Sequence, residues 1–308
     1  MKRILTVILA MLLIMSMSLS ASAINVSEAT NEKSESGYIN ERSVKNELSL
    51  KQIPSKSASS YRQIALYFNG KALNVDARLI NGMTYVSLRF FINAVAPDMS
   101  VSYNSRQKTL TVSGEGFNLS ATDGSYTVLA NGRVLFTVSP SVIMTNTRIY
   151  VPISSVTKAL GLSIKPGGTR IDISGSISPI TDGERFYRDD AVYWLSRIIS
   201  AESRGESLLG QVAVGNVVLN RVDSPLYPNT IWGVIFDKKY GVQFSPILDG
   251  TIYNSPTESS ILAAKIALEG YSIDEKVLFF LAPKYAQSSW IPRTRTYEFT
   301  IGTHDFYS

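Results

Sequence analysis

Asp189-Asp190-Ala191-Val192-Tyr193-Trp194-Leu195-Ser196-Arg197-Ile198-Ile199-Ser200-Ala201-Glu202 is the stretch on which the reading of this chain turns. Val192, Leu195, Ile198 and Ile199 recur at helical spacing, which predicts an amphipathic helix. Glu202 comes one turn after Ile198 and so falls on the apolar stripe, not on the wet face. Ser203-Arg204-Gly205 follows, and the glycine suits a helix stop. A carboxyl at the end of an apolar face is partly desolvated. Burial disfavours its charged form and raises its pKa. A general acid working near neutrality needs that shift. The other reading of Glu202 is a structural glutamate paired with Arg204 or another arginine.

Downstream, the spacing predicts a second helix over Glu206 to Val222, with Leu208, Val212, Gly215, Leu219 and Val222 as its stripe. Gly210, Ala213 and Gly215 allow a close neighbour. Pro225 and Pro228-Asn229 break the chain. Ser255-Pro256-Thr257-Glu258 predicts a third helix opening with Ser255 as N-cap, and Gly270 stops it. Val277 to Leu281 reads as a short strand or a buried helical run. Tyr297, Phe299 and Ile301 alternate as a half-exposed strand does. These signals outline a helix-rich domain over residues 184–308, after a Ser/Pro/Gly-containing join from Ser176 to Gly183.

Upstream, residues 61–175 hold an internal repeat. One copy reads Asn69-Gly70-Lys71, then Asn81-Gly82-Met83-Thr84-Tyr85-Val86-Ser87-Leu88, then a helix-like run to Ala96, and closes on Thr109-Leu110-Thr111-Val112. The other reads Asn131-Gly132-Arg133, then Asn146-Thr147-Arg148-Ile149-Tyr150-Val151-Pro152-Ile153, a run to Leu160, and Ile171-Asp172-Ile173. Asn-Gly supplies the positive φ of a tight hairpin, and Asp123-Gly124 reads as another such turn. The fold class expected is α+β: an N-terminal tandem-repeat antiparallel β domain with short helices, then the helix-rich domain.

The chain has 308 residues, which suits two domains, and 18% charged residues against 44% hydrophobic ones, which suits globular structure. Lys2-Arg3, an apolar run from Ile4 to Met15 and Ala21-Ser22-Ala23 read as a cleaved signal peptide over 1–23, hence a secreted protein. Residues 24–60 are rich in Ser, Asn, Glu and Lys and read as a flexible linker. The 30 basic and 25 acidic residues give +5. From Asp182 onward there are 12 basic and 15 acidic residues, so the basic excess lies upstream. That excess could meet an anionic wall polymer or a nucleic acid, or it is scattered surface lysine. The absence of cysteine rules out disulfides and any cysteine nucleophile. A single histidine, His304, argues against a zinc peptidase or amidase, and no Gly-x-Ser-x-Gly elbow occurs. Glu206, Asp249 and Asp305 read as caps or surface charges, which leaves Glu202 without a convincing second carboxylate.

The repeat resembles the copper amine oxidase N-terminal domain, through its Asn-Gly-Lys turn and its Tyr-Val-Pro-Ile step; Ser87 stands where that proline is usual. With no His or Cys in 61–175 it has no copper site, and it reads as an accessory wall-binding module or a spacer. The second domain is similar to the spore cortex-lytic cell wall hydrolases. Ala201-Glu202-Ser203-Arg204-Gly205-Glu206, Gly210-Gln211-Val212-Ala213-Val214, Asn220-Arg221, Pro228-Asn229-Thr230, Gly233-Val234-Ile235, Gln243-Phe244, Ala267-Leu268-Glu269-Gly270, Trp290 and Ile301-Gly302-Thr303-His304-Asp305-Phe306 carry that resemblance.

The resemblance implies a lysozyme-like or lytic-transglycosylase-like fold. It also implies cleavage of peptidoglycan glycan strands between muramic acid and glucosamine, with Glu202 as the single acid/base. No metal, cofactor or nucleic acid is called for, and a regulatory protein partner is left unidentified. Gln211, Gln243, Phe244, Phe280 and Trp290 are the groove candidates, as stacking faces or amides, with core packing the other reading of the aromatics. His304 matches the family ending and reads as support for the site. Ala282 stands where the family often has asparagine, which puts substrate preference in doubt. A lysozyme-like hydrolase and a catalytically silent wall-binding protein are the alternatives.

Overall fold

The structure is a computed structural model that describes residues 61–137, 143–145, 148–239, 241–286 and 289–308. The leader, the linker and the Asn146-Thr147 turn lie outside the described residues. Those described belong to one compact unit.

Among the described residues, fourteen strands build the N-terminal part. They are β1 (Arg62–Gln63), β2 (Ala65–Phe68), β3 (Lys71–Leu73), β4 (Ala77–Ile80), β5 (Met83–Ser87), β6 (Ser100–Asn104) and β7 (Thr109–Gly114), then β8 (Phe117–Thr122), β9 (Thr127–Ala130), β10 (Arg133–Phe136), β11 (Ile143–Thr145), β12 (Arg148–Pro152), β13 (Ser163–Gly167) and β14 (Arg170–Ser174). Helix α1 (Leu88–Val95) follows β5, and α2 (Ile153–Ala159) follows β12. Asn69-Gly70, Asn81-Gly82 and Asn131-Gly132 all have positive φ at both residues and close the hairpins β2–β3, β4–β5 and β9–β10, as their chemistry requires.

The two copies interleave. Strand β12 pairs antiparallel with β5, setting Val151 opposite Val86, so the Tyr-Val steps of both copies lie side by side. The sheet order is β1-β4-β5-β12-β11. A second sheet runs β13-β14-β2-β3, in which β14 pairs parallel with β2. That pairing departs from the all-antiparallel expectation. It joins the closing strand of one copy to the opening strand of the other, a long-range contact that no turn signal announces. Between the sheets, Leu88, Phe91, Ile92, Val112, Leu119, Val151, Val156 and Leu160 are fully buried in one core.

The C-terminal part starts with a single turn, α3 (Gly183–Phe186), then α4 (Asp189–Ser203), α5 (Leu208–Asp223), α6 (Ile231–Ile235), α7 (Pro246–Asp249), a 3-10 turn at Thr251–Tyr253, α8 (Glu258–Leu268) and α9 (Trp290–Thr294). Strands β15 (Phe279–Leu281), β16 (Tyr297–Ile301) and β17 (His304–Tyr307) form a sheet with β17 in the middle. Helices α4, α5 and α8 pack on one another, with Leu195, Ile198, Ile199, Val214, Ala264 and Ala267 wholly or almost wholly buried. Gly215 makes this fit possible: a Cβ there would meet Ile199 Cδ1 at 2.9 Å. Ser255 is not the cap of α8. Thr257 is, because its hydroxyl accepts from Ser260 N (3.1 Å) while its own N donates to Ser200 Oγ on α4 (3.3 Å).

The two parts meet at Glu269, just past α8. Arg133 on β10 donates to its carboxylate through Nε (2.8 Å) and Nη2 (2.7 Å), Lys158 Nζ lies 3.0 Å away, and Tyr187 Oη donates at 2.8 Å. Tyr187 Oη also accepts from Val134 N (2.9 Å). The Glu269 side chain is only 4% exposed. Burial alone would raise its pKa, but the donors from Arg133, Lys158 and Tyr187 hold it below the ordinary carboxylate value.

Candidate active site

Glu202 occupies the penultimate position of α4 and is half-buried. Among the described residues no hydrogen bond or ion pair reaches its carboxyl, from Arg204 or from any other group. Burial pushes its pKa up to about 7, and the negative charge of Asp249 adds to the shift. Asp249 ends α7, where Thr251 donates to its Oδ1 from N (2.9 Å) and Oγ1 (2.6 Å). These bonds hold Asp249 below the ordinary carboxylate value. Two neighbouring carboxyls are thus driven apart: one keeps its proton near neutrality, the other stays ionised. The sequence shows Asp249 only as a turn residue. Its place beside Glu202 comes from α7 packing against α4.

Glu206 is neither a cap nor a surface charge. Its side chain is 11% exposed and sits under the β16–β17 turn, where Thr303 N donates to Oε2 (3.2 Å) and His304 Nδ1 lies 3.5 Å from Oε1. Gly302 leaves the space: a Cβ there would fall 1.7 Å from Glu206 Oε2, at a φ of +59°. Gly302→Ala should therefore strain the turn and evict the carboxylate, lowering stability by about 1–3 kcal/mol in a thermal or denaturant melt. A melt unchanged from the parent would refute this packing. His304 is buried, and burial lowers its pKa while the Glu206 charge opposes the change. At neutral pH the ring is uncharged, and its Nδ1 has no hydrogen bond. The 3.5 Å approach to Glu206 is therefore a contact and not an ion pair.

His304 also meets the Phe280 ring at 5.6 Å, and Phe280 meets Phe244 at 6.3 Å. The structure thus gathers Phe244, Phe280 and His304 into one cluster. Phe244 is buried and serves as packing, while Phe280 keeps a partly open face. Trp290 is 51% exposed and stands edge-on to Phe279 at 6.1 Å. Gln243 is half-buried, and its Nε2 donates to Gly241 O (2.9 Å). Gln211 stands elsewhere. It is fully buried, donates through Nε2 to Ser259 Oγ (2.8 Å) and Glu206 O (3.0 Å), and accepts from Ser260 Oγ (2.8 Å). With both amide hydrogens engaged and no surface exposed, Gln211 serves the packing of the scaffold and offers no donor to a sugar.

The comparisons with known proteins bear on both parts. Residues 205–307 match the Cell Wall Hydrolase family, and residues 67–173 match the copper amine oxidase N-terminal domain. The chain is 36% identical over 140 residues to a spore cortex-lytic enzyme of Bacillus cereus, covering 46% of this chain and 52% of that protein. It is 37% identical over 105 residues to the spore cortex-lytic enzyme of Bacillus subtilis, covering 34% and 33%. The chain therefore spans about half or less of these curated relatives. Among solved structures it is similar to the catalytic domain of the germination-specific lytic transglycosylase SleB from Bacillus anthracis, at 37% identity over 42% of this chain and 100% of that one, with a TM-score of 0.37.

Proposed function

We propose that this chain, which carries a cell wall hydrolase domain behind a copper amine oxidase N-terminal-like domain, is a peptidoglycan lytic transglycosylase with Glu202 as its acid/base. The observation that carries the reading is a half-buried carboxyl, unpaired among the described residues, with its pKa near 7. In the first half-reaction Glu202 gives its proton to the glycosidic oxygen as the bond from the muramic C1 to that oxygen breaks. The ring gathers positive charge at C1, and the ionised Asp249 nearby stabilises it. The muramic 6-hydroxyl then attacks C1 and passes its proton to the Glu202 carboxylate. The products are a glucosamine end with a free hydroxyl and a 1,6-anhydro-muramic end, and Glu202 is protonated again. No outside water enters, so the second carboxylate of a hydrolase is not required.

In this reading Phe280 and Trp290 supply ring faces for the sugar, with Gln243 as an amide; the support is their partly open faces. The names of the relatives point to spore cortex as substrate and germination as the occasion. Export by a leader over 1–23 belongs to the same reading, as does attraction of the basic upstream part to anionic wall polymer. Two of that part's cations, Arg133 and Lys158, are already engaged by Glu269.

The test is mass spectrometry of the soluble fragments from purified cortex and vegetative sacculi digested side by side. Anhydro-muramic ends, released faster from cortex, are expected. Reducing muramic ends alone would overturn transglycosylation. They would favour a hydrolysing muramidase, a second reading that the ionised Asp249 supports as a water-activating base.

A further inference from the structure

A group of rings at the far end of α4 has no part in the chemistry above. Trp194 lies eight residues before Glu202 on that helix, about 12 Å along its axis. It meets Phe236 edge-on at 5.1 Å and Tyr253 at 6.4 Å. Trp232 on α6 stacks on Phe236 at 5.1 Å, one helical turn away. Trp232 is 56% exposed and Tyr253 61%. The segment that forms α7 and the 3-10 turn connects this group to the catalytic end. It passes through Asp249, whose charge Glu202 feels, and ends at Tyr253 against Trp194. Segment and helix thus run alongside each other from the acid to the rings.

Large aromatic faces left in water are costly, and edge-on neighbours that fix their planes make a rigid platform. Beside them, the Arg197 guanidinium lies 3.7 Å over the Tyr193 ring. No carboxylate pairs with it among the described residues, and its Nε is buried without a hydrogen-bond partner. Flat apolar faces next to a cation without a carboxylate partner suit one ligand class well: a strand of pyranose rings that carries carboxylates.

We propose that Trp232, Tyr253 and Trp194 form a distal subsite that grips the glycan strand more than one sugar ring away from the bond at Glu202, with Arg197 reading the lactyl carboxylates of muramic residues that carry no peptide. This rests on the reading of Glu202 as the cutting residue and adds a length requirement to it. The platform binds the part of the strand that does not react, so it sets KM and processivity and leaves the chemical step alone.

The experiment uses the intact chain in the catalytically inert Glu202→Gln form, titrated with peptide-free glycan strands of graded length from purified sacculi. Trp232→Ala combined with Tyr253→Ala should weaken binding of long strands about tenfold, as expected from losing the burial of one ring face. Binding of the shortest fragments should not change. In the Glu202 background the same pair should raise KM for long strands at constant kcat, and Trp232→Phe should restore most of the loss. Arg197→Gln should weaken these strands more than neutral chitin oligomers of equal length. Binding and KM unchanged in the double variant, with its circular dichroism intact, would overturn the platform; that result is also the one expected if the rings instead dock a protein. Because the titration needs no turnover, it stands or falls separately from the catalytic role of Glu202.

Discussion

Glu202→Gln is expected to abolish glycan cleavage while making the protein more stable at neutral pH. Glutamine is nearly isosteric but can neither give nor take the proton, and general acid–base action is worth roughly two to four powers of ten in rate. For the native enzyme, kcat/KM should fall as pH rises through about 7, since the protonated form starts the reaction.

The stability effect has a definite sign. The folded protein holds a proton on Glu202 up to a pKa near 7, against 4.5 for an ordinary glutamate. The native state therefore binds more protons than the unfolded chain between those limits, and stability falls as pH rises across them. At pH 8 the buried negative charge costs up to about 3 kcal/mol, which a neutral glutamine removes. At pH 4 the two proteins should unfold alike. A variant that still clears purified wall at the parent rate would sink the assignment of Glu202. A variant no more stable than its parent at pH 8 would show that the carboxyl is not desolvated.

Glu269→Ala is expected to give the largest loss of stability. It strips the partner from Arg133, whose side chain is only 9% exposed, and frees the Tyr187 hydroxyl and the Lys158 ammonium. Removing one side of a buried ion pair costs about 3–5 kcal/mol, because the remaining charge stays desolvated. The thermal midpoint should drop by on the order of 10 °C. The single transition expected of the joined parts should also split in two. Arg133→Ala added to Glu269→Ala should cost much less than the sum of the separate changes. Since the Glu269 pKa is depressed, its contribution is present at neutral pH and disappears as pH falls through that lowered value. Additive effects, or a single unshifted melt, would mean that the two parts do not lean on this carboxylate.

What could be read from the sequence was local. The Asn-Gly turns dictate their own backbone, so three hairpins were legible. The stripe that carries Glu202 is a periodicity within one helix, and so is its desolvation. The parts that escaped depend on segments far apart in the chain. Nothing near Asp249 signals that α7 will press it toward Glu202. Nothing in Glu206 signals that a glycine in a distant turn will make room for its carboxylate. Gln211 misled for the same reason: an amide in a helix looks available until Ser259 and Ser260 from another helix claim it. The stacked pair Trp232 and Phe236, one turn apart on and just past a short helix, was a signal that could have been used.

The parallel seam between β14 and β2 has a consequence for how such a module can change. Each half lends an edge to the other, through β14 on β2 and β12 on β5, so neither half is a self-contained unit of the kind a solenoid stacks. A lone half would expose two unsatisfied strand borders and be prone to pair with a second molecule. An engineer grafting this architecture elsewhere must therefore move both halves together.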